Sequence, residues 1–291
     1  MADIKIPEEI AEWMIERGWS AHHDQWHFER RWDYWGALKD NPAVPEPFRQ
    51  WINNKFAEAN TNGWSRADIQ EGEVGNGEEF LFMHRAMIEL IITSFPQHVH
   101  YFRGWHTPPR DYSSSLDPVP VPDTEPPREC HPLKKLICDP MLSAIDRIET
   151  SPTSFSSDDD FGLYVETNQR PTPGNPTGRS DDASTGIHNY LHGRWSGMSA
   201  DLDLGDPRFN IFNTRFWRLH GWIDHQWWLF RLATGADDKD PDYQAKLNSH
   251  KEMMNMTHHD HHDHLDIASI EEGAPATGTV NAFIDLIAEI E

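Results

Sequence analysis

The chain has 291 residues, enough to bury a substantial core, and 37% of them are hydrophobic, with 13 tryptophans that point to an unusually aromatic interior. Against 25 basic residues stand 48 acidic ones, a formal charge of −23, which repels nucleic acids and anionic lipid surfaces and argues against both as partners. No apolar run approaches the roughly 20 residues of a membrane span, and the charged start Met1 to Glu9 lacks the apolar stretch of a signal peptide, so the expected setting is cytoplasmic.

Pro7 to Arg17 predicts a first helix, with acids in its first turn and Ile10, Trp13 and Met14 on one stripe; Gly18 ends it. Ser20 is a candidate cap for a second helix over about 21–37, which carries His23 and His27. Phe48, Trp51, Ile52 and Phe56 share one face of a helix predicted over 45–59. A Gly- and acid-rich loop from Asn60 to Gly77 leads into a strongly apolar helix, 78–95, around His84, which Pro96 stops. From about 107 to 183 the pattern weakens under repeated prolines. The expectation there is a long Pro-rich insert with one short helix near 133–148 and a strand at 162–165. Helices return at 184–195, 213–232 and 243–256, and Thr279 to Ile290 predicts a last one, bearing Val280, Phe283, Ile284 and Ile287. The prediction is a mainly α fold in a single domain over 1–291, because the two histidine sets described next lie on either side of the insert. Cys130 and Cys138 are the only cysteines. Two cannot make a disulfide framework or a thiolate metal site of the usual kind; one local bridge is open to them, and the expectation is two ordinary thiols.

Eighteen histidines make chance pairs common, and most isolated ones are satisfied surface or core groups. Here one pattern recurs. His23 and His27, then His84, and again His188 and His192, then His220, each form an HxxxH pair followed by a third His in a helical, aromatic context. Residues i and i+4 share a helix face, so two imidazoles can bind one ion, and a third from a neighbouring helix leaves an open position. Two such sets suggest a dinuclear metal centre. Di-iron bundles use Glu-x-x-His pairs, whereas six neutral imidazoles without a carboxylate favour copper, with zinc the alternative metal.

The residues around these histidines resemble the type 3 copper proteins: tyrosinases, catechol oxidases, arthropod hemocyanins and prophenoloxidases. The arthropod branch is the most similar. His22-His23-Asp24-Gln25-Trp26-His27 resembles its HHxxWH motif, and the segment from Glu78 to Ile88 its GELFYYMHQQMI segment. His188-Asn189-x-x-His192 matches HNxxH, and Met198-Ser199, Asp206-Pro207 and Phe216-x-x-x-His220-x-x-Ile223-Asp224 look like its MSD…DPxFxxxHxxID run. The resemblance implies a four-helix bundle with copper A on His23, His27 and His84 and copper B on His188, His192 and His220. It implies O2 as co-substrate and oxidation or monooxygenation of phenols, catechols, o-aminophenols or aromatic amines. A reversible O2 carrier with the same site, or a metal-binding or storage protein, is the alternative. The likeness spans three blocks. The chain is too short for both flanking domains of the arthropod proteins, one of which supplies a Phe that blocks substrate in the carriers, so an open site is expected unless the Pro-rich insert covers it. Positions 28 to 83, between His27 and His84, also form a longer gap than the family pattern has.

In tyrosinases an Asn at the place of Asn189 acts with a Glu to orient the water that deprotonates a phenol; Asn189 matches, while only Asp181 and Asp182 lie near the position of the Glu. Asn189 reads equally well as a surface amide bonded to backbone. Asp224 is expected to orient a ligand imidazole through its second nitrogen, the alternative being a plain surface charge. His98, His100 and His106 read as pocket-wall or surface groups, and Trp222, Trp227 and Trp228 as helix packing. The His-rich tract 258–264, preceded by three Met residues, suits copper collection or simply a solvated loop.

Overall fold

Helices carry the architecture. In a computed structural model, described over residues 4–111, 117–119, 129–172, 174–196 and 202–255, ten α-helices are present and β-pairing is limited to isolated bridges such as Lys5 with Asn213. The predicted helix at 279–290, the His tract 258–264 and Met198-Ser199 lie outside the described residues.

α1 (Glu8–Glu16) and α2 (Trp19–Arg30) meet at Gly18, whose φ of 67° turns the chain and places it as the N-cap of α2. Ser20 is therefore not the expected cap; it lies inside α2 and donates its hydroxyl proton to the Arg208 carbonyl at 2.6 Å. The single helix expected over 21–37 is broken at Arg31, and α3 (Trp32–Asp40) leaves in a new direction. The break lets Tyr34, Trp35 and Leu38 pack with Phe48 and Ile52 of α4 (Glu46–Thr61) and with Phe28 of α2, forming a hydrophobic cluster separate from the main core.

α5 (Asn76–Ser94) is the central helix, buried along most of its length. Two further helices, α6 (Asp139–Thr150) and α7 (Asp158–Glu166), occupy much of the expected Pro-rich insert. α7 replaces the predicted strand at 162–165. Ser157 caps its start by accepting from the Asp160 amide, three aspartates complement the N-terminal dipole, and burial outweighs the strand preference of Tyr164 and Val165. α5 and α7 touch back to back: a Cβ on Gly77 would lie 2.3 Å from the Asp159 carbonyl oxygen and from the Leu163 nitrogen, and one on Gly162 would lie 2.1 Å from the Gly77 oxygen. Only glycine permits that approach.

α8 (Ile187–Arg194), α9 (Thr214–Thr234) and α10 (Pro241–Asn255) complete the described helices. The main core runs from Ile6 to Met254 and is as aromatic as expected; Trp19, Trp195, Trp217, Trp222 and Trp227 are fully buried. Trp228, read from sequence as packing, is instead 43% exposed, because it points away from the face that holds Trp227. The expectation of two free thiols is also overturned: Cys130 and Cys138 form a disulfide, their Cα atoms folded to within 5.0 Å by the intervening turn. No helix among the described residues is long and apolar enough to cross a membrane.

Candidate metal centre

Four helices bring the histidines together: α2 carries His23 and His27, α5 carries His84, α8 carries His188 and His192, and α9 carries His220. In each triad the donor nitrogens lie within 4.8 Å of one another. The triads adjoin, since His84 and His220 stack at 3.9 Å with planes only 10° apart. Phe80 packs on His84 and His188 at 4.6 and 4.8 Å, and Phe216 packs on His220 at 4.1 Å, so aromatic rings surround the cluster.

Backbone carbonyls orient the imidazoles. Nδ1 of His23 faces the Pro207 oxygen at 2.7 Å, that of His84 the Phe80 oxygen at 2.8 Å, and that of His192 the Leu204 oxygen at 2.6 Å. Nδ1 of His188 faces the Glu166 carbonyl at 3.3 Å and the Asn189 Oδ1 at 3.1 Å. A carbonyl only accepts, so in these four rings Nδ1 carries the proton and a neutral ring keeps a bare lone pair at Nε2. Those lone pairs point inward. Nε2 of His84 and of His188 is buried with no hydrogen-bond partner, while Nε2 of His27 lies 3.2 Å from that of His23, and Nε2 of His220 lies 3.3 Å from that of His192.

Burial pushes every ring toward the neutral form: His23 falls to about 3 and His192 to about 4. His27, His84, His188 and His220 lie well below the ordinary value, through burial first and mutual repulsion second. Orphaned, converging, neutral donors are what a cation requires, so the residues present fit two metal ions. All-imidazole triads suit copper and suit zinc as well.

A cleft of about 200 Å³ reaches the cluster, bordered by His27 from the first triad and His188 and His192 from the second. Phe28, Trp35, Phe48 and Trp51 form its aromatic wall. That wall comes from the segment between His27 and His84, the extra length noted in the sequence, whereas among the described residues of the 107–183 insert Glu166 is the one that borders the cleft.

Asn189 borders the same cleft, and its amide donates to Glu71 Oε1 at 3.5 Å. Glu71 and Glu166, both buried, are the carboxylates beside it; sequence spacing could not find them, because one lies in the loop after α4 and the other at the end of α7. Asp181 and Asp182 are exposed, and Asp182 accepts from Ser184 instead. The expectation for Asp224 fails. Its carboxylate accepts from Arg85 Nε at 2.5 Å, within a group that includes Tyr243, and Nδ1 of His220, one turn away, is buried with no partner. His98, His100 and His106 lie outside the triads, with His98 paired to Glu9.

No family model, curated protein or solved structure matches this chain. The residues and their geometry are what bear on its function.

Proposed function

We propose that this protein is a two-copper oxidase of small aromatic molecules that uses O2, acting on phenols, catechols, o-aminophenols or aromatic amines. The observation that carries the reading is the pair of adjoining neutral imidazole triads at the end of an aromatic-walled cleft. His23, His27 and His84 would hold one copper and His188, His192 and His220 the other. Copper at such a centre supplies the electron transfer that couples aromatic oxidation to O2 reduction, two catechols giving two quinones as one O2 becomes two waters.

The chain's own share is positioning and proton handling. Phe28, Trp35, Phe48 and Trp51 hold a flat ring and exclude water from its faces. Asn189 and Glu71, which face each other, are placed to hold a water or hydroxyl at the mouth of the second triad, and a carboxylate there can accept the phenolic proton that monophenol chemistry must remove. Diphenols and aminophenols lose their protons more readily and depend on that pair less.

The cleft favours an enzyme over an O2 carrier, since His27, His188 and His192 border space that an aromatic ring can enter. A cytoplasmic setting was expected alongside free thiols, and the Cys130–Cys138 disulfide suits an oxidising compartment better. Metal analysis of the purified chain, followed by oxygen uptake on adding catechol, tests the reading. About two coppers per chain and catechol-dependent uptake are expected. Zinc alone, or reversible oxygenation with no turnover, would replace it with the storage or carrier alternative.

A further inference from the structure

The cleft is polar as well as aromatic, and its charges are unevenly committed. Among the described residues six ionisable side chains other than histidine border it: Asp24, Glu71, Glu166 and Asp206 on the acidic side, and Arg31 and Lys55 on the basic side. Both cations are already engaged. Lys55 Nζ lies 2.8 Å from Asp24 Oδ2 and 3.2 Å from Glu58 Oε2, with its side chain only 8% exposed. Arg31 Nε lies 3.0 Å from Glu71 Oε2, and its guanidinium stacks over Tyr34 and Trp35. Asp206 is in turn occupied by Arg208, at 2.7 Å.

One acceptor is left over. Glu166 is 1% exposed, and while its Oε2 accepts from the Asn76 amide, its Oε1 is buried without a partner. It stands beside Glu71, whose Oε1 has only the long 3.5 Å contact from Asn189. Among the described residues an arriving carboxylate thus meets cations whose charge Glu71, Asp24 and Glu58 already balance, Arg31 keeping only its terminal N–H groups without a side-chain partner, whereas an arriving N–H donor meets a Glu166 oxygen that lacks one. A buried acceptor left unpaired is costly, and a charged donor satisfies it with a strong hydrogen bond. Two further features act in the same direction. Four aromatic rings line the cleft, and ring faces attract cations. The chain's charge of −23 concentrates cations at its surface and disfavours anions.

We propose that the cleft selects aromatic molecules carrying a protonated amine over those carrying a carboxylate, with Glu166, supported by Glu71, receiving the ammonium group. This names the substrate class of the site described above and rests on that reading only for what happens after binding.

The test is a set of three matched probes, benzylammonium, phenylacetate and neutral benzyl alcohol, titrated anaerobically into the full chain as purified and followed by calorimetry or NMR. Benzylammonium is expected to bind about tenfold or more tighter than phenylacetate, the effect of one charge-assisted hydrogen bond, with benzyl alcohol between them. Glu166→Gln should bring benzylammonium close to benzyl alcohol. Glu71→Gln carries a different signature: it releases Arg31 and should strengthen phenylacetate binding. Equal or inverted affinities in the unaltered protein overturn the proposal, as does a Glu166→Gln variant that keeps the full preference. If a variant fails to fold, the unaltered protein's three affinities decide. Charge selection without copper would retain this proposal and remove the oxidase reading; copper and catechol turnover without charge selection would do the reverse.

Discussion

The histidines of the two triads are held mainly by backbone, not by other side chains. Carbonyls of Pro207, Phe80, Leu204 and Glu166 take the Nδ1 protons of His23, His84, His192 and His188 and leave Nε2 bare, which prepares those four rings to hold an ion. Removing one ring should empty its own triad most: His192→Ala is expected to leave the first site loaded, about one copper per chain by metal analysis, while abolishing the absorption of the oxygenated centre, which needs both ions. Full oxygenation of that variant would refute the dinuclear assignment. Asn189→Ala should slow monophenol hydroxylation about a hundredfold, the lower end of the range for losing acid–base assistance, and change catechol oxidation less; paired rates on one monophenol and its diphenol measure the difference. At this scale the two histidine triads are legible in the sequence, because i, i+4 spacing on a helix puts two rings on one face. Glu71 and Glu166 are not, because each reaches the cleft from a segment distant from Asn189 and neither lies in a motif.

Three elements determine how the cluster is reached. α3 and α4 have their own hydrophobic cluster and wall the cleft with Trp35, Phe48 and Trp51, so the long segment between His27 and His84 is a structural part of the site. α7 reaches the cleft with Glu166 only because Gly162 lies against Gly77 of α5. Gly77→Ala places a methyl group inside backbone contact distance, so a loss of about 3 kcal/mol or more in unfolding free energy is expected, at the upper end of overpacking costs. The shift of the denaturation midpoint measures it. An unchanged midpoint would mean that α5 and α7 can separate freely, and Glu166 would then have no fixed place. Helix positions were largely readable from apolar periodicity; the strand predicted at 162–165 was wrong because Tyr164 and Val165 are buried on a capped helix against α5.

Across the whole molecule, a bound metal would compete with protons for the same six rings. In the metal-free fold the rings are held below their ordinary value, His23 at about 3 and His192 at about 4, whereas the unfolded chain titrates near 6.5. The unfolded state therefore binds more protons across that interval, so stability is fullest above about 6.5 and falls as pH drops toward the folded values. At pH 5 each ring kept neutral costs about 2 kcal/mol. Glu166, Asp24 and Asp224, raised by burial, act in the opposite sense: their contribution is present at low pH and lost as pH rises through their folded values. The six rings, with His250 lowered as well, outweigh these three acids, so metal-free protein should lose thermal stability steeply between about pH 6.5 and pH 4.5. Bound metal should raise the midpoint at neutral pH by linkage. Melting curves with and without chelator across that range check both signs, and a metal-free midpoint that rises on acidification would overturn the burial of neutral rings.

The sequence alone determined the helical class and the six candidate ligands, since both depend on periodicity within single segments, where spacing translates directly into a shared face. Tertiary structure decided what surrounds them. Committing Asp224 to Arg85 and gathering Glu71, Glu166 and the α3–α4 rings around one cleft depend on contacts between segments far apart in the chain. Such contacts follow from how buried faces pack together, and no local pattern of residues encodes them.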